Sequence, residues 1–222
     1  MIKLTKLSEP TVLLKNATKW KNCLLSNIAN NTTSTTYLLS RYSDPEIKKQ
    51  LIAETNGKCA YCESKLLHIH HGDIEHIVPK SLDQSKRYEW KNLTLACEIC
   101  NQNKTNLDPN LNFILNPYIQ NPENSLMFLG PIAHGLDAFG QSTKALLDLN
   151  RTALIEKRKE RLEKICLILE KLNTPNVPIP VRKAIYQDLI QNEANNTKEY
   201  YSMVNSIIKS CTSSIPIEVI AA

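Results

Sequence analysis

The clearest periodicity in the chain lies in residues 151–172. Leu154, Ile155, Leu162, Ile165, Leu169 and Leu172 recur at helical spacing and form one apolar face. The pattern predicts a long helix with Asn150 as its cap, broken by Asn173–Pro180, which holds three prolines. Two further helices are expected at 181–195 and 197–211. Near the other end, Asp44-Pro45 pairs a capping carboxylate with a residue suited to the first helical position. This predicts a helix running to about Thr55, with Gly57 in the left-handed position behind it. Another helical stretch is expected around Lys15–Ala29. Between these, residues 73–78 read as a strand and 90–95 as a loop leading into a second strand, and a short helix should begin near Asn101. Asn116-Pro117, Asn121-Pro122 and Gly130-Pro131 mark a turn-rich connector.

These elements divide the chain into three parts. Residues 1–55 form a helical and extended N-terminal segment, 56–118 a compact core, and 119–222 a helical C-terminal region. The fold class is α+β, with a small strand-strand-helix core embedded in a mainly α-helical protein.

Two Cys-x-x-Cys pairs, Cys59/Cys62 and Cys97/Cys100, bracket that core. Four thiolates so spaced suit one tetrahedral Zn²⁺. The 34 residues between the pairs exceed the roughly 15–20 of a simple ribbon, so a folded unit must lie inside. Four protein ligands leave no open position, which makes this zinc structural. Cys23, Cys166 and Cys211 are scattered and are expected to be buried thiols in a reducing compartment.

Inside the bracket lies Asp73-Ile74-Glu75-His76-Ile77-Val78-Pro79-Lys80-Ser81. Glu75 could hold Mg²⁺ or Mn²⁺, and His76, with a pKa near neutrality, could take a proton from water. Asp73 is a strand-end carboxylate with a lesser claim on the same metal. Lys104 reads either as a phosphate contact or as an exposed helix lysine. His68, His70 and His71 fit a solvated loop better than a second metal site, and His134 has no identifiable partner.

With these residues in place, the segment resembles the HNH, or ββα-metal, endonuclease family. The shared pattern is an acid-His pair on the first strand (Glu75-His76), an Asn before the second strand (Asn92), and a His or Asn on the helix (Asn101). The resemblance implies that His76 is the general base, that Asn92 positions its imidazole, and that Glu75 and Asn101 hold one Mg²⁺ or Mn²⁺. Glu in place of the common Asp, and Asn in place of His, both retain oxygen ligands suited to such hard cations.

Further out, Cys59-Ala60-Tyr61-Cys62-Glu63-Ser64, Asn116-Pro117-Tyr118 and Leu149-Asn150-Arg151 are similar to the PtuB-like nuclease subunits of Septu-type and retron-associated anti-phage systems. That resemblance implies a P-loop ATPase partner, and because this chain has no Walker motif any ATP hydrolysis would be the partner's.

Charge refines the picture. Residues 1–50 carry eight Lys/Arg against three acids, whereas 51–118 carry seven against eight. The net +5 permits nucleic-acid binding without demanding it. Lys157, Arg158, Lys159 and Arg161 could face nucleic acid or an acidic partner, or form a solvated face balanced by Glu156, Glu160 and Glu163. No apolar run approaches the ~20 residues of a membrane span, and the N-terminus lacks a signal-peptide core, so the expected location is cytoplasmic. The reading that results is a DNA endonuclease of anti-phage defence. Its rivals are an RNA (tRNA) endonuclease and a non-catalytic zinc-stabilised binding module.

Overall fold

A computed structural model describes residues 1–66 and 72–220. The order of elements is α1 (Thr11–Ala29), α2 (Thr36–Leu39), α3 (Pro45–Thr55), β1 (Asp73–His76), β2 (Leu93–Ala96), α4 (Glu98–Lys104), β3 (Leu126–Leu129), β4 (Ile132–Gly135), α5 (Ala138–Leu146), α6 (Thr152–Asn173), α7 (Ile179–Asp188), α8 (Tyr201–Cys211) and α9 (Ile217–Ile220). No helix among the described residues is long and apolar enough to cross a membrane.

Helix α3 starts as its sequence dictates. The Asp44 carboxylate accepts from the Glu46 amide at 3.0 Å, and Pro45 occupies the first turn. The helix ends at Thr55, as expected, with Asn56 (φ 54°) and Gly57 (φ 68°) both in the left-handed region behind it. The chain then enters the first cysteine knuckle.

Strands β1 and β2 pair antiparallel, with Asp73 opposite Ala96, Ile74 opposite Leu95, Glu75 opposite Thr94 and His76 opposite Leu93. The first strand is shorter than the expected 73–78, and a 3₁₀ turn over Trp90–Asn92 precedes the second. Helix α4 begins at Glu98, not Asn101, because the Cys97 thiol caps it by accepting from the Cys100 amide at 3.4 Å. The knuckle backbone joins the sheet through the Ala60 amide, which donates to Leu95 O at 2.9 Å.

The turn-rich connector holds more structure than its prolines and glycines suggested. Leu126–Leu129 and Ile132–Gly135 form a hairpin turned by Gly130-Pro131, where Gly130 (φ 57°) supplies a positive φ. Behind it sits α5, capped by Asp137, whose carboxylate accepts from the Gly140 amide at 2.7 Å. A Cβ on Gly140 would lie 1.7 Å from Ser125 O, so only glycine permits this packing.

One apolar core runs through the molecule, from Leu13 and Leu24 of α1 through Ile47, Leu51, Leu93 and Leu95 to Ile165, Leu172, Met203 and Val204. Helix α6 spans Thr152–Asn173 and buries Leu154, Ile165, Leu169 and Leu172. Asn150 does not cap it. Its amide instead exchanges two 2.9 Å bonds with the backbone of Ala133, tying the helix start to β4. The expected 181–195 helix is α7 followed by a π turn over Leu189–Glu193, and the last long helix begins at Tyr201. The scattered thiols also depart from expectation. Cys23 and Cys166 are exposed, and Cys211 is half-buried against the core.

Candidate active site

The four knuckle sulfurs lie within 4.8 Å of one another, and Cys62 Sγ is 3.8 Å from Cys97 Sγ. A tetrahedral zinc with ~2.3 Å bonds requires sulfurs about 3.8 Å apart, so the cluster fits a zinc site. Four crowded thiols cannot share negative charge evenly without a cation. Burial pushes Cys59 well up and thiol hydrogen bonds push Cys100 up, while hydrogen bonds from Cys100 hold Cys62 and Cys97 down.

Arg151, at the start of α6, brings a cation to the outside of this cluster. Its Nη1 lies 3.8 Å from Cys100 Sγ and its Nη2 3.8 Å from Cys97 Sγ. Burial works against the guanidinium charge, but the thiolates of Cys100, Cys62 and Cys97 more than offset it and hold Arg151 above its ordinary range. The planar fork meets two sulfurs at once, which a lysine ammonium could not do.

Alternation along β1 sends Asp73 and Glu75 to one face of the hairpin and Ile74 and His76 to the other. Helix α4 covers the acidic side. Asn101 Nδ2 donates to Asp73 Oδ2 at 3.0 Å, and Lys104, one turn further on, reaches Glu75 Oε1 at 2.7 Å. The same ammonium donates to the carbonyl of His76 at 3.0 Å. Neither of the two readings of Lys104 survives, because it is fully buried. Its place at i+3 from Asn101, on the face of α4 that meets β1, is the signal that marks it as internal.

Burial raises the Glu75 pKa, and Lys104 opposes the rise. Despite the close ammonium, Glu75 Oε1 receives no directed hydrogen bond. A buried carboxylate short of donors beside Asp73 and the Asn101 amide is an all-oxygen set, which fits a hard divalent cation.

His76 lies on the opposite side of the strand, 4% exposed. Its Nε2 is 3.0 Å from the carbonyl of Arg87. A carbonyl only accepts, so Nε2 carries the proton and Nδ1 keeps a free lone pair. Burial lowers the ring's pKa to about 4, below the near-neutral value the sequence led us to expect, which keeps the imidazole neutral near pH 7. The edge of Tyr42 packs on the ring at 4.6 Å and 74°.

Asn92 does not touch the imidazole. Its Oδ1 accepts from Val78 N at 2.8 Å, and its Nδ2 donates to Val78 O at 3.0 Å and Lys86 O at 3.2 Å. It therefore stitches the end of β1 to the loop whose next residue, Arg87, holds His76. Sequence reasoning missed Tyr42 and Arg87, which no spacing rule ties to the motif. His68, His70 and His71 lie outside the described residues. His134 sits on β4 opposite Met127, remote in sequence from the motif.

The basic helix is not a free cationic face. Lys157 and Lys159 pair with Glu160 and Glu156, and Arg161 pairs with Glu193. Arg158 is 1% exposed and donates to Leu149 O at 2.7 Å and Pro131 O at 3.2 Å.

Residues 59–107 match the HNH endonuclease family model, a span that runs from the first knuckle cysteine to just past α4. The zinc cluster, Glu75, His76, Asn92, Asn101 and Lys104 all fall within this HNH domain. Beyond it, the chain is similar to Septu protein PtuB of Bacillus thuringiensis, 29% identical across 76% of this chain and 70% of that protein. It is also similar to Septu protein PtuB of Bacillus mycoides (strain KBAB4), 24% identical across 93% and 89%. The chain thus carries a segment that matches the HNH endonuclease model and is similar to Septu PtuB proteins over most of its length.

Proposed function

We propose that the protein is a DNA endonuclease, hydrolysing phosphodiester bonds with one Mg²⁺ or Mn²⁺ and His76 as general base, and that it is the nuclease effector of an anti-phage defence complex. The observation that carries the reading is the orientation of the His76 imidazole, whose Nε2 faces the Arg87 carbonyl and whose Nδ1 has no hydrogen-bond partner among the described residues. As a water oxygen bonds to phosphorus and the leaving oxygen departs, the water's proton passes to Nδ1.

Glu75 and Asn101, with Asp73 beside them, would hold the divalent cation on the α4 face of β1, opposite His76. In this proposal cation and base reach the phosphate from the two sides of the strand's end, the cation offsetting charge that develops on the phosphate and leaving oxygen. Lys104 fixes the carboxylate of Glu75, and Asn92 fixes the loop behind His76. In this reading residues 56–118 do the chemistry, while 1–55 and 119–222 frame it. The zinc cluster holds the domain together and takes no part in bond cleavage.

Similarity to Septu proteins supports a place in such a system; a P-loop ATPase partner and a cytoplasmic setting belong to the same proposal. The test is cleavage of plasmid DNA and total tRNA by the purified chain, alone and with its genomic neighbour ATPase, with and without Mg²⁺ or Mn²⁺. Metal-dependent cutting of plasmid is expected. Cutting of tRNA alone would reassign the substrate, and no cutting of either by the complete complex would overturn the reading.

A further inference from the structure

The cations around His76 and Glu75 are unequal. Lys104 is buried against Glu75. Arg87 is buried, with Nη1 donating to Leu39 O at 2.8 Å and Nε donating to Gln84 Oε1 at 2.9 Å. Lys48 is turned to the carbonyl of Gly72. Lys80 differs from all three. It is only half-buried, it forms no salt bridge among the described residues, and its ammonium donates at 3.2 Å to the Tyr42 hydroxyl while lying 4.9 Å from that ring's centre. The same ring packs on His76. Buried Pro79 fixes the backbone just before Lys80.

We propose that Lys80, steered by Tyr42, is the cation that receives a backbone phosphate of the nucleic acid beside His76. This rests on the nuclease reading above. An ammonium held only by a neutral hydroxyl keeps its full charge to give to an anion, and an aromatic face stabilises it while it waits. Positive charge aimed at a phosphodiester offsets charge that grows in the transition state. A phosphate contact carries no base information, so Lys80 would raise rate and affinity on all sequences alike. Tyr42 acts through Lys80 and His76 and is a positioning residue.

Two readouts test this. In the cleaving protein, with its partner where required, Lys80→Gln should lower kcat/KM on the order of 10- to 100-fold, Lys80→Arg should recover most of it, and the thermal midpoint should stay unchanged. In a His76→Ala background, Lys80→Gln should weaken binding of a short DNA duplex and reduce the slope of log affinity against log salt by about 1. Unchanged kcat/KM, or an unchanged salt slope, would overturn the assignment even if the unsubstituted protein cuts DNA. If the unsubstituted protein cut nothing, the nuclease reading would fall, and the salt slope would still decide whether Lys80 meets phosphate.

Discussion

Lys104 Nζ lies 2.7 Å from Glu75 Oε1 with neither side chain open to solvent, so the acid of the acid-His pair is held by a lysine from inside the fold. Removing one partner of a buried pair strands the other's charge. Lys104→Met should therefore cost roughly 3–5 kcal/mol, read as a lower urea midpoint. Adding Glu75→Gln should recover part of the loss, because the stranded carboxylate is then gone. A Lys104→Met protein that unfolds at the same urea concentration would show that the pair does not form.

Zinc should be inseparable from the fold. A strand-strand-helix unit of this size has little apolar interior of its own, so metal binding energy becomes folding energy. Metal analysis should give one zinc per chain, and a strong chelator should abolish the cooperative thermal transition. Cys62→Ser should do the same without chelator. A chelated protein with an unchanged melt would remove the metal from the account.

Arg151 should set how tightly that zinc is kept. A four-thiolate zinc site carries net negative charge, and charge-assisted bonds to the sulfurs stabilise it. Arg151→Ala should speed zinc transfer to a chromophoric chelator several-fold, on the order of 1–2 kcal/mol at a charged group. Arg151→Lys should recover only part, since an ammonium cannot span two sulfurs. Zinc release at an unchanged rate would make the contact incidental.

Asn92 should act on the loop and through it on His76. Asn92→Ala removes three hydrogen bonds to backbone, a loss of about 2–3 kcal/mol. Cleavage should fall together with stability. Asn92→Asp keeps the acceptor for Val78 N but loses both donated bonds, so it should lie between the two. Full cleavage by Asn92→Ala would remove Asn92 from the machinery.

The zinc cluster, the β1–β2–α4 order and the candidate residues themselves were legible in the chain because they depend on short, local spacing. Cys-x-x-Cys, the Glu75-His76 pair and Asp44-Pro45 each announce themselves within a few residues. What stayed hidden depends on contacts between distant segments. Lys104 and Arg158 look like surface charges on their own helices, and only packing against β1 or against Leu149 and Pro131 turns them inward. Asn150 has the chemistry of a cap, yet it satisfies Ala133 on a neighbouring strand. The β3–β4 hairpin was obscured because Gly130-Pro131 signals a turn without saying that two strands meet there. The Tyr42–His76 contact joins residues 34 positions apart, beyond the reach of any periodicity.

The most direct test of the central claim is the cleavage rate of His76→Ala, measured on plasmid DNA with saturating divalent metal and with zinc content and thermal midpoint checked alongside. His76 ligates no zinc, so the variant should keep its zinc and its fold. Its cleavage rate should fall by at least a hundred-fold, on the order of what a positioned general base contributes. A folded, zinc-loaded His76→Ala protein that cuts at the unsubstituted rate would contradict the account.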